Sequence, residues 1–352
     1  MLPRVPQRGR GTVSNPDNRF HGHRSVAEDD GWYQEVPATV HTEVRIEQAK
    51  SIIARNTSPD IPFDRSINPY RGCEHGCIYC FARPTHAYWD MSPGLDFETR
   101  LIAKTNAAER LEEALSKPGY RCAPIALGAN TDPYQPIEQQ YRITRQLLET
   151  LFRYRHPVTI TTKGAMVLRD LDLLQEMAAL RLVRVMVSLT TLDDELKRTL
   201  EPRAASGNAR LRAIRVLAQA GIPVGAICAP IIPMINDHEL ETMIQAAADA
   251  GARSAHYVLL RLPLEVAPLF EEWLGVHYPQ RANHVLSLIR QSRGGELYTS
   301  RFGERMKGEG VFAQLIARRF AAAVKKAGLG RREDDSLDCS LFCPPGRQMS
   351  LL

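Results

Sequence analysis

Apolar segments alternate along the chain with amphipathic segments, and this alternation predicts repeated pairs of a strand and a helix. Six short apolar or β-branched segments bounded by turn residues are typical of buried strands. They begin at Ser66, Pro124, Val158, Val183, Val224 and His256. Helical spacing of apolar residues follows over 108–115, 137–155, 170–180, 209–220 and 237–250. Strands that are apolar throughout and separated by helices favour a parallel sheet, so we predict an α/β fold, a (βα)6 partial barrel.

The chain divides into three predicted parts. Residues 1–58 form an N-terminal arm and lead-in, residues 59–265 the barrel core, and residues 266–352 a helical extension with a tail. The start of the arm is polar and rich in glycine and proline, so we expect it to be solvated. A strand and a short helix are expected between Thr39 and Ala54. The extension should contain three helices, the last of them basic, over 269–273, 285–290 and 311–326.

Composition is that of an ordinary soluble globular protein. The chain has 352 residues, of which 44% are hydrophobic, and its net charge of +5 permits a polyanionic partner without requiring one. No apolar stretch approaches the ~20 residues of a membrane helix, so we expect no membrane partner. The basic N-terminus lacks the apolar run of a signal peptide. Seven cysteines, three of them in one loop, fit the reducing cytoplasm better than a disulfide framework.

Three cysteines lie within eight residues, spaced C-x3-C-x2-C, directly after the first predicted strand. They are Cys73, Cys77 and Cys80, and the neighbouring Gly72 and Gly76 suit a loop that wraps closely around a metal cluster. Three thiolates can hold three irons of a 4Fe-4S cube, which leaves the fourth iron open. A structural zinc site usually takes two close pairs of ligands, and no second pair lies nearby. We therefore predict a 4Fe-4S cluster.

This spacing, with an aromatic residue just before the last cysteine, resembles the cluster loop of the radical S-adenosylmethionine (radical SAM) superfamily. The resemblance implies an enzyme in which the open iron binds SAM through its amino and carboxylate groups. An electron from the cluster then splits SAM into methionine and a 5′-deoxyadenosyl radical. The superfamily shares the (βα)6 partial barrel, in which the chemistry lies at the carboxyl ends of the strands.

Polar residues that follow the predicted strands are candidates for binding SAM. Lys163 and Arg203 suit the SAM carboxylate. Ser188 and Asp132 suit its polar edges, and Asn130 belongs to the same turn as Asp132. For each residue taken singly a structural role is nearly as good an interpretation, and it is their shared position at strand ends that favours binding.

Several short motifs together resemble the branch of this superfamily related to spore photoproduct lyase, often described as DNA repair photolyase-like. The motifs occupy residues 66–83, 131–134, 162–163 and 201–203. In that lyase a cysteine ahead of the second strand's active-site turn returns a hydrogen atom to the product. The resemblance suggests the same role for Cys122, for which the alternative is a small packing residue. Tyr79 is predicted to contact the adenine or relay a hydrogen atom, or else to pack against the cluster.

The favoured substrate is a nucleic-acid lesion or a modified base, with flavodoxin or ferredoxin as the type of reductant. Two alternatives remain open. The first is a radical SAM enzyme that acts on a small metabolite, a peptide or tRNA. The second is an iron–sulfur protein that senses redox state without turnover.

The C-terminal part contains two further candidate features. Cys339 and Cys343 form a C-x3-C pair, which is too few thiols to hold a cube alone. The last five residues, 348–352, resemble the pentapeptide that bacterial DNA-repair proteins insert into the sliding clamp. The alternative is that this tail folds back onto the barrel.

Overall fold

The computed structural model describes residues 7–22, 40–330 and 336–344, and a sheet of seven strands lies at its centre. The strands of the described part are β1 (Glu43–Glu47), β2 (Ile53–Arg55), β3 (Arg65–Ile67), β4 (Tyr70–Arg71), β5 (Arg100–Lys104), β6 (Ile125–Leu127), β7 (Val158–Thr162), β8 (Val183–Leu189), β9 (Val224–Ile231) and β10 (Ser254–Leu259). The large sheet has the order β10-β9-β8-β7-β6-β3-β2.

Helices connect the strands and cover the sheet. The α-helices of the described part are α1 (Leu95–Thr99), α2 (Ala107–Leu115), α3 (Glu138–Tyr141), α4 (Ile143–Arg153), α5 (Leu171–Ala179), α6 (Asp194–Leu200), α7 (Gly207–Gln219), α8 (Leu240–Asp249), α9 (Val266–His277), α10 (Ala282–Gln291), α11 (Glu304–Lys307) and α12 (Gly310–Lys326). Within the described ranges, no helix has the length and apolar character to cross a membrane.

The six predicted strands are all present, and each is a parallel neighbour of the next one in the chain. Parallel pairing joins β3 to β6, β6 to β7, β7 to β8, β8 to β9 and β9 to β10. Only β2 departs from this pattern, because it pairs antiparallel with β3 at the sheet edge. The predicted α/β fold is therefore confirmed.

The sheet curves as a partial barrel does. Ile78 and Tyr79 follow the first parallel strand, and they share a buried cluster with Leu260 and Leu262, which follow the last. Trp273 of α9 is fully buried in the same cluster. The carboxyl ends of the first and last parallel strands therefore face each other across the mouth of the barrel.

Burial of the strands and of one face of each helix follows from the sequence pattern. In β8, Val183, Val185 and Leu189 are completely buried because strands of a parallel sheet are covered on both sides. Helix α4 buries Ile143, Leu147, Leu148 and Leu151, which lie on one face at helical spacing. Full burial of a side chain of this kind contributes about 1.5–3 kcal/mol of transfer free energy.

A small second sheet, which the sequence pattern did not predict, leads into the cysteine loop. Its order is β1-β5-β4, with β1 parallel and β4 antiparallel to the central β5. Strand β4 contains Tyr70 and Arg71 and therefore ends two residues before Cys73. This sheet fixes the point at which the loop begins.

The prediction of one continuous helix over residues 137–155 is wrong, because the chain breaks at Arg142. Arg142 adopts a left-handed conformation with φ of 51°, which separates α3 from α4. The side chain of Glu138 is fully buried and accepts a hydrogen bond from the Thr144 amide at 3.0 Å. Tyr70 and Arg169 also contact this carboxylate. Leaving this buried charge without partners would cost more free energy than breaking the helix, so the chain breaks here.

Two expectations about the N-terminal part are also wrong. Residues 40–54 contain β1 and the start of β2 but no helix. The described part of the arm, residues 7–22, is packed rather than solvated, and Arg10, Thr12 and Asn18 are buried. The polar residues of the arm therefore form hydrogen bonds with the barrel.

Candidate active site

The cysteine loop lies at the carboxyl end of the parallel strands, between β4 and α1. Cys73 and Cys77 are buried, Cys80 is half-buried, and all three thiols are free. Gly72 has a φ of 69°, and an added Cβ would come within 2.8 Å of the Phe97 carbonyl oxygen. A residue with a side chain does not fit there.

The loop fits a thiolate-bound iron–sulfur cluster. Burial raises the pKa of Cys77 to about 12 and that of Cys73 well above its usual range, so these thiols become thiolates only when positive charge compensates them. Within the described ranges, no three Cys, His, Asp or Glu side chains are gathered to hold a single metal ion. A cube does not require this, because three of its irons would each take one cysteine.

Buried side chains hold the loop from two sides. The guanidinium of Arg83 is completely buried, donates to the Cys77 carbonyl at 2.9 Å and pairs with Glu98 at 2.6 Å. On the other side, Gln135 accepts from the Glu74 amide at 2.9 Å and donates to the Gly72 carbonyl at 3.2 Å. These hydrogen bonds position the loop through its backbone, so the three thiols stay available as ligands of a metal cluster.

The N-terminal arm lies directly on this loop. The buried carboxylate of Glu98 accepts hydrogen bonds from the amides of Gly11 at 2.9 Å and Thr12 at 3.0 Å, in addition to its ion pair with Arg83. Gly11 is so close to Gly76 that an added Cβ would lie 1.8 Å from the Gly76 carbonyl oxygen. The arm therefore covers the stretch between Cys73 and Cys77.

Tyr79 is tied to a buried carboxylate rather than left free in the cavity. Its hydroxyl donates to Glu201 and lies 3.1 Å from Thr190 Oγ1. Burial alone would raise the pKa of Glu201, but Arg210 and Lys163 outweigh it and hold that pKa below its usual range. Glu201 also lies 3.9 Å from the Cys77 sulfur. Glu201 therefore links the cysteine loop to the ends of β7 and β8.

Lys163 and Ser188 come together beside this network, and their predicted contacts with SAM stay predictions. Lys163 Nζ donates to Ser188 Oγ at 2.7 Å and lies 4.0 Å from Glu201 Oε2. It also lies 5.6 Å from the centre of the Tyr79 ring. A cation therefore lies next to the cysteine loop without a close carboxylate bond, since 4.0 Å is a long ion pair.

Asp132, Asn130 and Arg203 lie near the loop but are engaged in other contacts. Asp132 accepts from Thr162 Oγ1 at 2.7 Å and from the Lys163 amide at 2.6 Å. The backbone amide of Asn130 donates to Asn68 Oδ1 at 2.8 Å. Arg203 pairs with Glu74 at 2.8 Å, and its side chain is 40% exposed. Their predicted contacts with SAM stay predictions.

Cys122 lies at the opposite end of the barrel from the cysteine loop. It precedes β6, at the amino end of the strands, and it contacts Cys339. Burial, followed by the charge and hydrogen bond of Cys339, raises the pKa of Cys122 to about 12. A donor of hydrogen to a radical must lie at the carboxyl ends, and the structure does not bring Cys122 there.

Sequence reasoning missed the buried partners that organise the site. These are Arg83, Glu98, Gln135 and Arg210. Arg83 was included in the motif over residues 66–83, but nothing local shows that its side chain turns inward. Only the pairing of these side chains in the fold identifies them.

Comparisons with known proteins give one family model and several relatives that match the chain. The model of the Radical SAM superfamily matches residues 67–247. Over 233 residues the chain is 38% identical to an uncharacterized protein of Mycobacterium tuberculosis, covering 66% of this chain and 68% of that protein. An uncharacterized protein of Methanocaldococcus jannaschii is 27% identical over 214 residues, which are 61% of this chain and 76% of that protein.

A solved structure shares the fold. Spore photoproduct lyase complexed with dinucleoside spore photoproduct has a TM-score of 0.57 and 14% identity, covering 80% of this chain and 79% of that chain. At this identity the likeness concerns the fold. Because the family model spans half of the chain and includes Cys73, Cys77 and Cys80, the chain belongs to the Radical SAM superfamily.

Proposed function

We propose that this enzyme binds one 4Fe-4S cluster through Cys73, Cys77 and Cys80 and cleaves SAM reductively to act on a nucleic-acid lesion or a modified base. Membership of the superfamily implies SAM and the cluster. The observation that carries the assignment to these residues is three free thiols in one loop at the carboxyl ends of the strands, beside the Lys163–Ser188 pair.

When bound, the cluster supplies an electron that splits SAM and yields a 5′-deoxyadenosyl radical. The part of this chain is to place SAM. Lys163 offers an ammonium to the SAM carboxylate, and Ser188 holds that ammonium at 2.7 Å. Glu201 fixes Tyr79 by accepting its hydroxyl, so the ring centre is held 5.6 Å from Lys163 Nζ.

Cleavage of SAM is tested by anaerobic reconstitution with iron and sulfide, followed by SAM and dithionite. The protein should bind about four irons and release 5′-deoxyadenosine. Replacing Cys73, Cys77 or Cys80 by Ala should abolish both. The matched control is the double variant Cys339→Ala, Cys343→Ala, which should keep both. Loss of all iron in that control would contradict the assignment.

The substrate class rests on the shared fold with spore photoproduct lyase, whose solved complexes contain a dinucleoside photoproduct. Product analysis with ultraviolet-damaged duplex DNA and with tRNA, using flavodoxin or ferredoxin as the electron donor, tests it. A product from damaged DNA supports the proposal, and turnover of tRNA alone contradicts it. If SAM is not cleaved under any of these conditions, the proposed function is refuted and the redox-sensor alternative is favoured.

A further inference from the structure

An arginine and an aromatic ring meet at the mouth of the barrel, next to the cysteine loop. Arg261 follows β10, the last parallel strand, and Phe81 directly follows Cys80. The guanidinium carbon of Arg261 lies 4.9 Å from the centre of the Phe81 ring. The pair therefore spans from the first to the last parallel strand, where a substrate enters.

The guanidinium of Arg261 lacks the partners that a charged group in a protein normally has. Its Nε is buried and has no hydrogen-bond partner. Its Nη1 contacts the sulfur of Met306 at 3.6 Å, which is a weak acceptor. Among residues 7–22, 40–330 and 336–344, no carboxylate lies within ion-pair distance of Arg261. An unsatisfied buried donor of this kind calls for an acceptor supplied from outside.

A second arginine adds positive charge at the same place. Arg293 is almost fully buried, and it donates to the backbone carbonyls of Leu260 at 2.7 Å and Glu304 at 2.8 Å. Burial, followed by the positive charge of Arg261, lowers the pKa of Arg293 to about 10. Arg293 thus bonds to the residue that precedes Arg261, and within the described ranges neither guanidinium forms an ion pair, which favours a bound anion.

The ring of Phe81, which lies next to Arg261, indicates what kind of anion binds there. Phe81 is 42% exposed, although it is a large apolar side chain beside the cysteine loop. An aromatic face stacks with a nucleic-acid base, and an arginine fork matches the oxygens of a phosphate. Other aromatic residues are exposed in the described part, but Phe81 is the one that directly follows a cluster cysteine.

We propose that Arg261, supported by the charge of Arg293, binds a phosphodiester group of the substrate while an adjacent base stacks on Phe81. This inference rests on the proposed function, since it names how a nucleic-acid substrate is held beside the cluster. It does not involve Lys163 or the cysteines, so it can be tested by binding alone.

The experiment measures binding of thymidylyl-thymidine and of its uncharged methylphosphonate analogue to the reconstituted protein by equilibrium dialysis under nitrogen. The wild-type protein should bind the phosphodiester at least tenfold more tightly than the neutral analogue. The variant Arg261→Gln should lose that preference, and Arg261→Lys should keep part of it. Phe81→Leu should weaken binding of both compounds by a similar factor. The matched control is Arg301→Gln, which removes an arginine whose side chain is 73% exposed and lies 3.4 Å from Glu304.

Salt dependence gives a second readout. For an oligothymidine of about ten residues, the slope of log K against log salt should fall in magnitude by roughly 0.7 in Arg261→Gln, as expected for one lost contact with a single-strand phosphate. Equal binding of both dinucleotides by the wild type, or an unchanged preference in Arg261→Gln, overturns the inference. Formation of 5′-deoxyadenosine is measured separately on the wild type. Its absence would refute the proposed function, and the dialysis result would still decide the phosphate site.

Discussion

Replacement of Gly11 by Ala tests whether the N-terminal arm is part of the folded structure around the cysteine loop. The new Cβ would lie 1.8 Å from the carbonyl oxygen of Gly76 and 3.0 Å from its carbonyl carbon. Neither atom belongs to a flexible side chain, and both lie between Cys73 and Cys77. The arm therefore has to leave its place, because a distance of 1.8 Å is far inside van der Waals contact.

The cost of the substitution is limited to the free energy that holds the arm in place. When residues 10–12 leave, the buried carboxylate of Glu98 loses the amides of Gly11 and Thr12 and the Thr12 hydroxyl at 3.1 Å, but keeps Arg83. Arg10 exchanges its bonds to the carbonyls of Glu98 and Val40 for water. A hydrogen bond to a charged group contributes about 1.5–3 kcal/mol. Water replaces part of what is lost, so we expect the free energy of unfolding to fall by about 3–5 kcal/mol. The melting temperature should then fall by roughly 5–10 °C.

Two assays on the protein check this expectation, and one glycine of the same arm is a matched control. Thermal unfolding followed by circular dichroism gives the change in stability, and limited trypsin digestion reports cleavage after Arg10, which is buried in the wild type. Gly22 has no atom within 4 Å of an added Cβ, so Gly22→Ala should behave as wild type. If Gly11→Ala melts at the same temperature as Gly22→Ala, and trypsin cuts the two variants at the same rate, the reasoning is refuted.

Further predictions concern SAM binding, pH and the tail. Lys163→Ala removes the ammonium beside Ser188, and SAM affinity measured by calorimetry should fall by roughly 10- to 100-fold, or about 1.5–3 kcal/mol. An unchanged affinity would place the SAM carboxylate elsewhere. Burial lowers the pKa of His156 to about 4, so the unfolded chain binds a proton at a higher pH than the folded one. Its stabilising contribution is present above about pH 6.5, is lost as the pH falls toward 4, and is reduced by about 2 kcal/mol at pH 5. In urea unfolding at pH 7 and pH 5, His156→Phe should therefore lose less stability than wild type, and equal losses would contradict the assignment. Residues 348–352 lie outside the described part of the chain, and their deletion should abolish co-elution with a bacterial sliding clamp while SAM cleavage continues. Co-elution that survives the deletion would remove this argument for DNA.

The positions of the break in residues 137–155 and of the arm show why local patterns were not sufficient. The apolar spacing over 143–153 indicates a helix, and α4 forms there. The break before it depends on Glu138, whose carboxylate is drawn inward by Tyr70 and Arg169. Those partners lie far away in sequence. A pattern of neighbouring residues therefore cannot predict these contacts.

The sequence alone determined the order of the six parallel strands and the spacing of the three cysteines in one loop. Hydrophobic periodicity acts over a few residues, and the ligand spacing of Cys73, Cys77 and Cys80 lies within eight residues, so both can be recognised without a fold. Lys163 and Ser188 could be placed together because parallel strands bring their carboxyl ends to one edge.

The tertiary structure alone decided which charges are buried and which residues face the cysteine loop. Glu98 meets Gly11 across 87 positions of sequence, and Tyr79 meets Glu201 across 122. Cys122, placed by resemblance near the active site, lies instead at the amino end of the strands against Cys339. A buried charge takes whatever partner the fold supplies, because leaving it unpaired costs more than ordering a distant segment. That choice depends on distances between elements, which no local pattern contains.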